Sequence, residues 1–75
     1  MKNKWTFVSL LQGDDPVEFD DFKGAWEQMK KWVKDHMDNL NYQILETTIW
    51  IERPSGTPLF FYDAKDLAYE MGIMP

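Results

Sequence analysis

From Phe19 onward the apolar side chains fall three or four residues apart. Phe19, Phe22, Trp26, Met29, Val33, Met37 and Leu40 follow this spacing, which matches the 3.6-residue helical repeat and predicts one long amphipathic helix. Two starts are compatible with the residues before it. Asp15-Pro16-Val17-Glu18 places an acceptor at the N-cap, proline at the first helical position and glutamate at the third. In the alternative, which is favoured, Val17-Glu18-Phe19 stays extended, Asp20 caps, Asp21 sits in the first turn and Phe19 packs from outside. The helix is expected to end near Asp38-Asn39, with Asn41 a further stop.

Three other segments carry a strand pattern. Trp5-Thr6-Phe7-Val8-Ser9-Leu10-Leu11 mixes β-branched and aromatic residues, and Gln12-Gly13-Asp14-Asp15-Pro16 then supplies turn formers. Gln43 to Glu52 alternates, with Leu45, Thr47, Ile49 and Ile51 on an expected core face and Ile44, Glu46, Thr48, Trp50 and Glu52 opposite. Arg53-Pro54-Ser55-Gly56-Thr57-Pro58 turns the chain into Leu59-Phe60-Phe61-Tyr62, predicting an antiparallel hairpin with a loop of about four residues. Asp63 is the expected cap of a short last helix, with Tyr62 and Leu67 at staple positions and Gly72-Ile73 as its stop.

The predicted fold class is α+β: a single small domain over residues 1–75 in the order β-α-β-β-α. It comprises a three-stranded antiparallel sheet in order 1-3-2, one long helix across one face, and a short C-terminal helix. This is a ferredoxin-like unit without its last strand, a topological analogy that carries no function.

Composition narrows the function classes. Ordering 75 residues costs on the order of 1.5 kcal/mol per residue, so nearly every apolar group must be buried and a deep substrate cavity is not expected. Four tryptophans, five phenylalanines and three tyrosines therefore have both to fill a thin core and to lie partly at the surface. With no cysteine, disulfides, thiolate catalysis and cysteine-type zinc sites are excluded. Met1-Lys2-Asn3-Lys4-Trp5 lacks the apolar stretch of a signal peptide and no apolar run approaches a membrane span, so the expected location is cytoplasmic.

The net charge of −5 opposes sequence-independent nucleic-acid binding and favours solubility, or a basic partner. Ser9 and Ser55 are the only serines and His36 the only histidine; neither serine has the glycine-rich surroundings of a nucleophile elbow, so no catalytic residue is assigned. No metal and no cofactor is expected either, because His36 has no ligand partners at suitable spacing and Pro54-Ser55-Gly56 lacks the glycines and lysine of a phosphate loop.

Partner binding is the remaining class. Asp14, Asp15, Glu18, Asp20 and Asp21 place five carboxylates in eight residues, dense enough to dock on a basic groove, although acids also gather at helix starts because the dipole favours them there. Glu27 with Lys31 and Lys31 with Asp35 stand at i,i+4, ordinary helix-surface pairing. Trp32 lies roughly 110° from the centre of the apolar stripe at about 100° per residue, so it is half exposed unless Leu67, Ala68 and Met71 close over it. Trp50, with Ile44, is expected on the sheet face that the long helix leaves open. Trp50, Phe60 and Tyr62 there would resemble a nucleic-acid stacking platform, but Glu46 and Glu52 flank Trp50 instead of basic residues.

The sequence thus leads to a small acidic, non-enzymatic protein-binding domain. Its candidate partner-binding residues are Asp14, Asp15, Glu18, Asp20, Asp21, Trp32 and Trp50. Size and charge suit an inhibitor or adaptor of the kind bacteria and phages encode, acting on a basic groove. The alternative is a small enzyme or ligand-binding domain whose site forms only at an oligomer interface. Homodimerisation through the edge of the first strand is a further expectation, since Thr6, Ser9 and Gln12 offer no proline or inward charge against pairing.

Overall fold

A computed structural model describes residues 4–36 and 42–73. Within them the chain forms β1 (Trp5–Ser9), β2 (Val17–Phe19), α1 (Phe22–His36), α2 (Tyr42–Leu45), β3 (Thr48–Glu52), β4 (Pro58–Asp63) and α3 (Ala64–Glu70). The α+β class and the antiparallel sheet are as expected. The sheet, however, has four strands in the order β2-β1-β3-β4 and not three in the order 1-3-2: β1 pairs antiparallel with β3, the first strand of the hairpin, which leaves β4 at the edge where β3 was expected. Val17-Glu18-Phe19 does more than stay extended: it pairs with β1 through Trp5–Phe19, Thr6–Glu18 and Phe7–Val17. Three residues are too few to show a period, so only the partner strand makes them a strand.

This pairing removes the first-strand edge on which the expected homodimer rested. β1 lies between β2 and β3, with Thr6 and Phe7 paired on both sides. The edges are instead β2, only three residues long, and β4, which opens on Pro58 and carries a bulge. Short length, proline and bulges each disfavour strand addition.

Asp21, one residue later than expected, caps α1: its Oδ1 accepts from the Gly24 N–H at 2.8 Å. Phe19 packs against this first turn so closely that a Cβ on Gly24 would lie 2.9 Å from its ring. The expected helix end at Asp38-Asn39 and Asn41, and the stripe residues Met37 and Leu40, lie outside the described residues. Within α1 the buried residues are Ala25, Met29, Trp32 and Val33, while Phe22 and Trp26 are half-buried. Trp32 is therefore core, at 5 % exposure.

The alternating segment begins as a helical turn and not as a strand. Ile44 and Leu45 belong to α2, which packs against α3 and closes with the Thr47 N–H donating to Ile44 O at 3.1 Å. Ile44 is buried in the core at 7 % exposure, correcting its expected place beside Trp50 on the open face. From Thr48 the alternation holds, with Ile49 and Ile51 fully buried and Thr48, Trp50 and Glu52 on the other side.

The hairpin turns as expected, on Gly56 at φ 95° with the Arg53 N–H donating to Thr57 O at 2.9 Å. β4 then bulges. Ile51 pairs with Leu59 and Ile49 with Tyr62, so Trp50 faces both Phe60 and Phe61. Asp63 occupies the N-cap position of α3 with extended backbone, but its carboxylate makes no cap hydrogen bond, unlike the expected cap. The Ala64 N–H donates to Thr47 O instead. At the other end Gly72 takes φ 76°, and the Ile73 N–H reaches Ala68 O at 3.0 Å, the expected left-handed stop.

Candidate protein-binding face

α1 packs on β1, β2 and β3, and α3 packs on β4 and α1, so the apolar layer lies on one side of the sheet. Phe7, Ile49, Ile51, Ala25, Met29, Trp32, Val33, Ala64, Leu67 and Ala68 form it. The alternation of each strand then dictates what stands on the opposite side.

Two cross-strand rows result. Glu18, Thr6 and Glu52 lie abreast on β2, β1 and β3. In the next row Val8 on β1 faces Trp50 on β3. The bulge completes this row, because Phe61 turns to the same side and stacks on Trp50 with ring centroids 4.9 Å apart and planes at 16°. Phe61 is 56 % exposed. The Trp50 indole N–H donates to Glu52 Oε2 at 3.1 Å, tying the aromatic row to the carboxylate row. Beyond Trp50, Thr48 leads into a shallow groove of about 370 Å³ lined by Leu10, Leu11, Gln12, Glu46, Thr47 and Thr48.

Phe60 goes the other way. It adopts φ 54°, the left-handed region, which costs a non-glycine residue roughly 1–2 kcal/mol. Its ring meets Phe22 at 5.6 Å and Trp26 at 5.3 Å, two aromatic pairs at about 0.5–1.5 kcal/mol each. The pairs offset the backbone cost. Trp5 joins through Phe22 at 5.4 Å, and Lys30 Nζ stands 6.0 Å from the Trp26 ring, so these rings make a lateral wall of the core. Phe60 and Tyr62, expected beside Trp50, are both on the helix side.

The sequence-based candidates separate into four groups. Asp14 accepts from the buried Trp32 indole N–H at 2.8 Å, and Asp21 caps α1; with Trp32 itself, these are structural. Asp20 pairs with Lys4. That hydrogen bond, and the attraction between the two charges, hold the Asp20 carboxyl below its ordinary range and raise the Lys4 ammonium above its own. Glu18 is a lesser contributor to the Lys4 shift. Asp15 is exposed in the loop. Glu18 and Trp50 stand on the open sheet face, in the two adjoining rows.

Thr6, Val8 and Phe61 complete that face and are not among the sequence candidates. Leu59-Phe60-Phe61-Tyr62 held the available signal, since four consecutive large apolar residues in one strand cannot all face one core. His36 packs its ring on Trp32, with centroids 4.1 Å apart, and its Nδ1 lies 2.7 Å from Trp32 O. Among the described residues no three His, Asp or Glu side chains are grouped to hold a metal, and no helix is long and apolar enough to cross a membrane.

The chain matches no protein-family model, no curated protein sequence and no solved structure.

Proposed function

We propose that the protein is a small acidic, non-enzymatic protein-binding domain that docks through the sheet face opposite its helices. The observation that carries this reading is the Trp50–Phe61 stack, with Phe61 more than half exposed on the sheet face opposite α1 and α3. Exposed aromatic pairs are costly to leave in water and are enriched at the energetic centres of interfaces. The open groove beside Thr48, of mixed apolar and polar lining, adjoins the aromatic row, and Glu18 and Glu52 border that row with negative charge.

The acidic segment from Asp14 to Asp21 takes a smaller part than its density suggests. Three of its five carboxylates serve Trp32, Lys4 and the α1 N-terminus. An inhibitor or adaptor that covers a basic groove remains the favoured form of the function, with the sheet face making the contact.

The test is selection of peptides from a random displayed library on the immobilised protein. Binders should lose about tenfold or more in affinity on Phe61→Ser. They should keep it on Tyr69→Ser, an equally exposed ring on α3. Selected binders indifferent to Phe61, or a selection that enriches none, would overturn the docking face.

A further inference from the structure

We propose that the group this face recognises is an arginine side chain presented by a basic partner segment; the inference rests on the docking reading above and names its chemistry. Three observations converge on it. The first is the cross-strand row Glu18–Thr6–Glu52, three oxygen-bearing side chains on neighbouring strands about 4.8 Å apart. All three accept hydrogen bonds, and two carry negative charge.

The second is Thr6. It is 1 % exposed, and its Oγ1 is a buried oxygen without a hydrogen-bond partner. Buried hydroxyls nearly always have one. With Phe7 turned into the core, the alternation of β1 directs Thr6 to the sheet face opposite α1 and α3, between Glu18 and Glu52. A donor group that draws those carboxylates onto itself brings an N–H within reach of the Thr6 hydroxyl.

The third is the aromatic row beside it. Trp50 holds the Glu52 carboxylate at its ring edge through the 3.1 Å indole hydrogen bond. A cation at that carboxylate therefore lies at the indole edge, beside the Trp50–Phe61 pair. A guanidinium is planar, weakly hydrated and forked, so it donates to several acceptors of one row at once and lays its apolar stem along the neighbouring rings; an ammonium is a compact point charge without that fork.

Other occupants fit less well. Phosphate-bearing ligands meet two glutamates and a chain of net charge −5. A second copy of the chain would set Glu18 and Glu52 against like charges, and both sheet edges are blunted by short length, Pro58 and the bulge.

The experiment is an amide and indole N–H correlation NMR titration of the labelled protein. Its probe is the peptide acetyl-Gly-Arg-Gly-Arg-Gly-amide, alongside the same peptide with citrulline or lysine in place of arginine. Saturable movement of the Trp50 indole N–H and the Thr6 amide is expected with the arginine peptide. Citrulline keeps the shape and loses the charge, and should weaken the effect about tenfold. Lysine should fall between. Glu52→Gln should reproduce the citrulline loss, and Glu27→Gln, whose carboxylate pairs with Lys30 on α1, should not.

Equal response to citrulline, or shifts confined to Asp14–Asp21, would overturn the arginine assignment. So would a motionless Trp50 signal at millimolar peptide. None of these results touches the docking face itself, which stands or falls with the Phe61 dependence of the selected peptides. Phe61-dependent binders without arginine would leave that face intact and remove only this inference.

Discussion

The indole N–H of Trp32, in the buried side of α1, donates to the Asp14 carboxylate at 2.8 Å. A loop acid thereby satisfies a polar group in the core and fixes the β1–β2 connection against the helix. Hydrogen bonds to a charged partner contribute about 1.5–3 kcal/mol, and Asp14→Ala should destabilise by that amount. Asp15→Ala, at an exposed neighbour, should stay within about 0.5 kcal/mol of the parent. Urea titrations of the two variants compare them directly, and equal midpoints would remove the structural role given to Asp14.

Phe60 offers a test of the bulge. Both Phe60→Ala and Phe60→Gly delete the ring contacts with Phe22 and Trp26, but only glycine accepts φ 54° without steric cost. The glycine variant should be the more stable of the two by about 1 kcal/mol. Indistinguishable thermal midpoints would mean that β4 runs straight through Phe60.

Gly24 sits inside a helix, where alanine ordinarily gains about 1 kcal/mol. Here the added methyl meets the Phe19 ring at 2.9 Å, the Phe19 Cβ at 3.2 Å and the capping Asp21 Oδ1 at 3.2 Å. Gly24→Ala should therefore be destabilising on its own and less so in a Phe19→Ala background, where the ring contact is gone but the Cβ and the Asp21 Oδ1 remain. A double-mutant cycle by denaturant titration reads this relief as a coupling energy, and strict additivity would remove the Phe19 contact as the cause.

The Lys4–Asp20 pair fixes a pH dependence at both ends of the scale. Because the Asp20 pKa is lowered by folding, its contribution is present above the ordinary carboxylate range and is lost as pH falls through the lowered value. The Lys4 pKa is raised, so its contribution is full below the ordinary lysine range and disappears as pH rises through the raised value. Carboxyl NMR should find the Asp20 midpoint returning upward in Lys4→Met. Added salt should shrink the difference, since both side chains are solvent-facing.

Much of this architecture was legible in the residues themselves. The 3.6 period marked α1, the alternation around Trp50 put Ile49 and Ile51 inside and Trp50 outside, and Gly56 and Gly72 stood where left-handed backbone was needed. These are local properties, set by side-chain spacing and backbone sterics within a few residues. Glu18 and Trp50 were also identifiable as surface groups, by charge and by strand alternation respectively.

Tertiary structure decided the rest. Val17–Phe19 is a strand only because β1 lies beside it, and Ile44 is core only because its segment closes into a helical turn against α3. Trp32 is interior because Asp14, eighteen residues away, accepts its N–H, and Phe61 joins Trp50 because β4 spends an extra residue at Phe60. Each of these outcomes depends on a hydrogen bond or a packing contact between distant segments. Such contacts have no period in the sequence, so neither spacing nor composition could register them.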